Sequence, residues 1–104
     1  MKTDILQSIT ERLREVLPLG AHAILFGSRA RGDARHDSDW DVLILLDKLK
    51  IESADYDNVS YPLVELGWSL NECISPVLYT FKDWVKQHFT PFYHNVKDEG
   101  IQLV

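Results

Sequence analysis

Residues 26–46 read FGSRARGDARHDSDWDVLILL, and the order of residue types in this stretch decides how the chain must be arranged. An apolar run, AILF, ends at Gly27-Ser28. A basic turn bounded by Gly27 and Gly32 follows, and Ser38-Asp39-Trp40-Asp41 opens a second apolar run ending at Leu46. The two glycines allow backbone conformations and close approaches that a β-carbon forbids. Such a turn, just after a strand, can aim successive N–H groups at a phosphate. Ser28 adds a hydroxyl donor, and Arg29 and Arg31 offer charge-assisted hydrogen bonds to phosphate oxygens.

The second half of the stretch is more demanding. Asp39 and Asp41 are one residue apart at the mouth of a strand, so both carboxylates point to one side, with α-carbons roughly 6 to 7 Å apart. Trp40 and Val42 face the other way, into packing. Two like charges opening a hydrophobic strand repel each other unless a cation or an arginine neutralises them. At this spacing they can flank one or two magnesium ions. Ser38 closes the turn and hydrogen-bonds locally.

Outward from this centre, residues 21–26 form a short strand between Gly20 and Gly27, and residues 40–46 form a second strand, apolar on both faces and therefore central. Before them, Ile5, Leu6, Ile9, Leu13, Val16 and Leu17 recur at helical spacing, with Thr3 as a cap, Asp4 in the first turn, and Pro18 and Gly20 ending the helix. After them, Val59, Leu63, Leu66 and Leu70 mark one face of a helix over residues 54–70, extended backward by Tyr56. Pro62 either kinks that helix or marks a start near Ser60. Residues 73–80, CISPVLYT, are a third strand, and Pro76 suits an edge position. Residues 81–89 and 91–97 read as two short helices, the second ended by Gly100, with residues 101–104 as a closing strand. Trp84, Phe89, Phe92 and Tyr93 fall in helical patterns and so read as packing aromatics, in preference to a base-stacking platform. His22 reads as a strand-start surface residue, because no partner histidine has metal-binding spacing.

At 104 residues with 45% hydrophobic and 26% charged residues, the chain predicts a single domain over residues 1–104 with one core. The net charge of −5 and the lack of a basic recognition helix disfavour DNA binding, while leaving room for a local basic pocket. The single cysteine, Cys73, excludes an intrachain disulfide and reads as a small packing residue. No signal peptide and no long apolar run is visible, which predicts a cytoplasmic protein with no membrane association.

Gly27-Ser28, Arg31-Gly32 and Ser38-Asp39-Trp40-Asp41 match the pattern G-S-x-x-R-G-x5-S-D-x-D at every fixed position. In this the chain resembles the polymerase-beta-like nucleotidyltransferases, and in its size and its closing FYHNVKDEGI segment it resembles their minimal nucleotidyltransferase branch, of the HEPN/MNT antitoxin type. The resemblance implies an α/β (α+β) fold, a small mixed sheet of three to four strands flanked by helices. It implies binding of Mg²⁺ and a nucleoside triphosphate, ATP above all, and transfer of a nucleoside monophosphate to an acceptor hydroxyl. By position it assigns Gly27 and Ser28 to the phosphates and Asp39 and Asp41 to the metal, with Arg29 and Arg31 as further phosphate contacts. It also implies a third acidic residue on the strand at residues 73–80, where this chain has Ser75. Glu72, three residues earlier, is the candidate catalytic substitute, ahead of Glu65 and Asp47; its other reading is a solvated loop carboxylate. Finally, it implies a HEPN-type helical partner, paired as toxin with antitoxin or as substrate-binding with catalytic subunit, and the acceptor is a protein side chain, such as a tyrosine of that partner, or another hydroxyl. The alternative is a nucleotide-binding antitoxin or partner-binding module that acts by contact, with weak or no transfer.

Overall fold

The computed structural model describes residues 4–104, so the expected cap at Thr3 lies outside the described residues. Asp4 itself caps α1 (Ile5–Val16), its side chain accepting a hydrogen bond from the Gln7 N–H at 3.1 Å. The apolar stripe of α1 turns inward, with Ile9 and Leu13 fully buried.

Four strands form one mixed sheet in the order β3-β2-β1-β4. β1 (His22–Phe26) runs antiparallel to β2 (Trp40–Leu46), with Phe26 opposite Asp41. β2 runs parallel to β3 (Ile74–Thr80), with Ser75 opposite Asp41. β4 is shorter than expected, Ile101–Gln102, although the backbone of Leu103 and Val104 continues to bond Ala23. As expected, β2 is central, with Val42 through Leu46 all buried, and β3 is an edge strand that tolerates Pro76.

The two faces of β2 bury different partners. Val42, Ile44 and Leu46 join Leu25, Ile74, Ile9 and Leu63 in a core under α1 and α4 (Tyr61–Ser69). Leu43 and Leu45 pack on the opposite face against Trp84 of α5 (Phe81–Lys86) and Val96 of α6 (Pro91–Glu99). The result is a helix–sheet–helix sandwich whose alternating strand residues serve both layers.

The long helix between β2 and β3 is built in three parts: α3 (Ser53–Asp55), a π-helical turn (Tyr56–Ser60) and α4. The Tyr61 N–H reaches the Tyr56 carbonyl, and Pro62, which has no N–H to give, follows directly after the wider turn. The wider turn rotates Tyr56 off the buried face: Val59 and Leu63 are buried as expected, while Tyr56 is exposed. α5 stops at Lys86, leaving Phe89 exposed. Trp84, by contrast, packs against Phe92 and Tyr93 with ring centroids 5.3 and 5.0 Å away. His22 is exposed, edge-on to Phe81. Among the described residues no helix is long and apolar enough to cross a membrane.

The end of α4 sets where β3 begins. A β-carbon on Gly67 would lie 2.8 Å from the Glu72 carbonyl oxygen and 3.2 Å from the Ile74 nitrogen, closer than backbone atoms tolerate. Gly67→Ala is therefore expected to destabilise the fold by about 1–3 kcal/mol, as overpacking does. Urea titration followed by tryptophan fluorescence measures it; an unchanged midpoint refutes the close packing of α4 on β3.

Candidate functional site

The chain leaves β1 through Gly27, whose φ of 75° and ψ of −159° lie in a region that only glycine occupies readily. Added bulk has no room there either, since a β-carbon would collide with the Asp41 carboxylate. The expected loop over residues 28–31 is a single helical turn, α2 (Ser28–Arg31). The N–H groups of Ala30 and Arg31 bond back to the Gly27 carbonyl, each at 3.1 Å, and Gly32 closes the turn on the Ser28 carbonyl at 2.9 Å. The Ser28 and Arg29 N–H groups stand at its open end, where helix geometry leaves donors without an intrahelical partner.

Beside this turn lie the two aspartates. Asp39, exposed, precedes β2, and Asp41, half-buried, is its second residue. The Ser75 hydroxyl donates to Asp39 Oδ2 at 3.2 Å, so the β3 residue in register with Asp41 carries a hydroxyl on the aspartate side of the sheet. Burial, and then the charge of Asp39, push the Asp41 carboxyl above its ordinary pKa, with Arg31 opposing. Cys73 departs from expectation: it is exposed, and hydrogen bonding to the Asp39 carboxylate raises its thiol. Two residues before Ser75, it shares that side of β3.

Arg29 and Glu72 are placed elsewhere. Trp40, between the two aspartates, turns to the opposite face and packs against the α1–α4 core. Its indole N–H donates to Glu72 Oε2 at 3.3 Å, so the Glu72 carboxylate is held on Trp40's side and is not brought to the aspartate pair. The Arg29 guanidinium lies 4.5 Å from the Trp40 ring centroid and 4.0 Å from Glu72, and its Nη2 donates to the carbonyls of His36 (3.1 Å) and Ser38 (3.0 Å). Arg29 therefore ties the 33–38 segment to the sheet. Sequence reasoning missed this role because a charge alone does not reveal which acceptors it will meet. Ser38 does close the turn, accepting from the Arg35 N–H at 2.9 Å. Arg31 remains at the surface, paired with Asp33 at 3.2 Å and Glu99 at 3.4 Å.

Asp39 and Asp41 suit a hard divalent cation, since their repulsion is relieved by one and carboxylate oxygens are its preferred donors. Among the described residues no group of three histidine, cysteine or acidic side chains converges on a metal position. The pair thus fits an ion whose remaining ligands are water and substrate phosphates, the manner in which Mg²⁺ is commonly held.

Comparison with known proteins identifies a family and a fold. A family model described as "Nucleotidyltransferase domain" matches residues 6–92. Among solved structures, a toxin–antitoxin crystal structure with AMP-PNP is similar at a TM-score of 0.65 and 21% identity, covering 95% of this chain and 72% of that one. A variant of the toxin–antitoxin pair MntA-HpeT is similar at 0.61 and 20% identity with the same coverage. Likeness at this identity concerns the fold. No curated protein matches the sequence significantly.

Two outcomes follow from the contact between Gly27 and Asp41. Gly27→Ala combines a forbidden backbone region with a collision, and is expected to destabilise by about 1–3 kcal/mol; a wild-type melting temperature refutes the close approach. Asp41 holds its proton to higher pH folded than unfolded, where aspartate titrates near 3.8. As pH rises from there through the folded pKa, its ionisation lowers stability. With divalent cations chelated, Asp41→Asn is therefore expected to melt higher than wild type at neutral pH, with the gain vanishing below the ordinary value. A neutral-pH melt no higher than wild type refutes the electrostatic reading.

Proposed function

The chain belongs to the nucleotidyltransferase domain family, a polymerase-beta-like family, and from that premise we propose that it transfers AMP from ATP, with Mg²⁺, to a hydroxyl acceptor, a tyrosine of a HEPN-type helical partner protein. The observation that carries this reading is the Asp41 carboxylate held directly against the Gly27 turn, with the charge of Asp39 beside it. A carboxylate pair and an anion-binding turn serve opposite charges, and together they suit a metal-bound polyphosphate.

Each residue has a role in this scheme. The turn at Gly27, with the Ser28 hydroxyl and the free N–H groups beside it, holds the β- and γ-phosphates, and Arg31 supplies positive charge by exchanging its surface carboxylates for phosphate oxygens. Arg29 keeps the 33–38 segment, and so Asp39, in place. Asp39 and Asp41 would hold Mg²⁺, which would supply charge neutralisation for the triphosphate. Positioned in this way, the acceptor oxygen forms a bond to the α-phosphorus as the bond to pyrophosphate breaks. ATP as donor assigns the reaction to the cytoplasm. The toxin–antitoxin neighbours support a partner protein as acceptor and an antitoxin role.

A second reading, an antitoxin that binds nucleotide or partner with little transfer, is favoured by one observation: the position opposite Asp41 on β3 is Ser75, not a carboxylate. Incubation with Mg²⁺, α-labelled ATP and the product of the adjacent gene separates the two. Label is expected on a tyrosine of the partner, falling at least about 10²-fold with Asp39→Asn or Asp41→Asn, the scale lost when an electrostatic stabiliser is removed. Tight ATP binding without labelled acceptor would sink the transferase reading.

A further inference from the structure

Residues 33–38 lead from the turn after Gly27 into Asp39, and none of them is buried. Open space borders the segment: two cavities, of about 460 and 510 Å³, share His36 and Glu72 in their walls. Core packing therefore does not fix this stretch, and a segment with few buried apolar contacts opens more readily than the sheet beside it. Its position depends on point contacts.

One atom makes two of those contacts. Arg29 Nη2 donates to the carbonyls of His36 and Ser38, and the Ser38 carbonyl belongs to the peptide bond that begins Asp39. The guanidinium lies over the Trp40 ring, and its Nε, withdrawn from water, has no hydrogen-bond partner among the described residues. An orphaned donor disfavours this placement, so an opposing attraction has to hold the guanidinium there. The same Nη2 lies 4.0 Å from Glu72 Oε2, with the two side chains only 16% and 23% exposed, and among the described residues Glu72 is the only carboxylate paired with Arg29.

Glu72 is itself fixed from two directions. Its Oε2 accepts from the Trp40 indole N–H at 3.3 Å, and its backbone N–H donates to the Gly67 carbonyl at 2.8 Å, where α4 ends against β3. On Trp40's side of the sheet the carboxylate is not placed to ligate a metal or to act as a base beside the aspartates. What it supplies is a fixed negative charge next to Arg29.

We propose that Glu72 is a positioning residue for Asp39: its charge holds the Arg29 guanidinium over Trp40, and Arg29 in turn holds the two carbonyls that set the backbone entering Asp39. This role rests on the metal-binding reading above and adds to it a residue that does not touch the ion. The hold is ionic, because 4.0 Å is too long for a hydrogen bond while opposite charges still attract across it. An amide at position 72 keeps the shape and still accepts from Trp40, yet loses that attraction. Arg29 is then released from the carbonyls, and Asp39 loses its fixed backbone. Outer partners of a metal site act in this way, leaving the ligands in place chemically and lowering affinity by disordering them.

The test compares the wild-type chain with Glu72→Gln, Arg29→Met and the double variant, and with Asp39→Asn as the control. Binding of Mn²⁺ alone, as a probe for Mg²⁺, is read from the paramagnetic resonance of the free ion. Hydrogen exchange at the Ser38 amide, which donates to the Arg35 carbonyl at 3.0 Å, reports the segment directly. Glu72→Gln is expected to weaken Mn²⁺ binding about tenfold, the lower end of what outer partners of a metal site contribute, and to speed the exchange. Arg29→Met is expected to do at least as much, and the double variant no more than Arg29→Met alone, since both changes break one chain of contacts. Should Arg29→Met not fold, Mn²⁺ binding and exchange in Glu72→Gln decide together. Unaltered Mn²⁺ binding in Glu72→Gln overturns the role, and faster exchange beside it marks a merely structural tie. A full further loss on adding Glu72→Gln to Arg29→Met also overturns it, because Glu72 then acts on the metal without Arg29. Wild type binding Mn²⁺ no better than Asp39→Asn overturns the metal-binding reading itself, and the role of Glu72 with it.

Discussion

The contact between the Asp41 carboxylate and the backbone of Gly27 is the constraint on which the rest of the site depends. It exists because Phe26 and Asp41 face each other across the antiparallel β1–β2 pair, so the residue after the first strand must turn over the second residue of the next. A side chain at position 27 has nowhere to go. The positive φ that glycine permits there swings the chain into α2 and leaves the turn's open N–H groups beside a carboxylate pair. Neither half accomplishes much alone: an isolated turn binds anions weakly, and an isolated aspartate pair repels itself.

β2 makes that contact durable. Its alternation sends Asp41 to one face and Trp40 to the other, so one residue carries the chemistry while its neighbour anchors it. Trp40 packs into the α1–α4 core and holds Glu72 by its indole N–H, and Arg29 lies over its ring while gripping the carbonyls of His36 and Ser38. This cluster ties the 33–38 segment to the sheet by charge-assisted bonds, of which those to Ser38 and Glu72 are part-buried and the one to His36 is exposed. Arg29 acts on the site through the backbone before Asp39. Arg31, with only surface carboxylates to give up, is the arginine free to exchange partners.

How much of this was legible follows from the kind of signal each feature leaves. β2 was legible because a strand buried on both faces is written as an unbroken apolar run, and the β3 edge because Pro76 cannot donate to a second neighbour. The aspartate pair was legible because a period of two places alternate residues on one face. The π turn was not, because a widened turn breaks the very period by which helices are read, and Tyr56 was assigned to the wrong side in consequence. α2 was too short to show any period. Cys73 and Glu72 depended on pairings across the fold: one meets Asp39 through the β2–β3 register, the other meets Trp40 from the end of α4. The 21-residue stretch thus announced its own site but not the neighbours that other segments bring to it.

The serine at position 75 bears on what kind of reaction two carboxylates can support. In register with Asp41 and hydrogen-bonded to Asp39, Ser75 consumes acceptor capacity on an aspartate without adding negative charge. A third carboxylate there would strengthen metal binding and offer a base, but it would add repulsion to a pair in which Asp41 already holds its proton above the ordinary range. Serine lowers that repulsion and leaves the acceptor to supply its own acidity. An aliphatic hydroxyl cannot do so near neutral pH, and a phenol comes much closer. The residue that weakens the case for a general-purpose transferase therefore accords with the proposed transfer to a tyrosine.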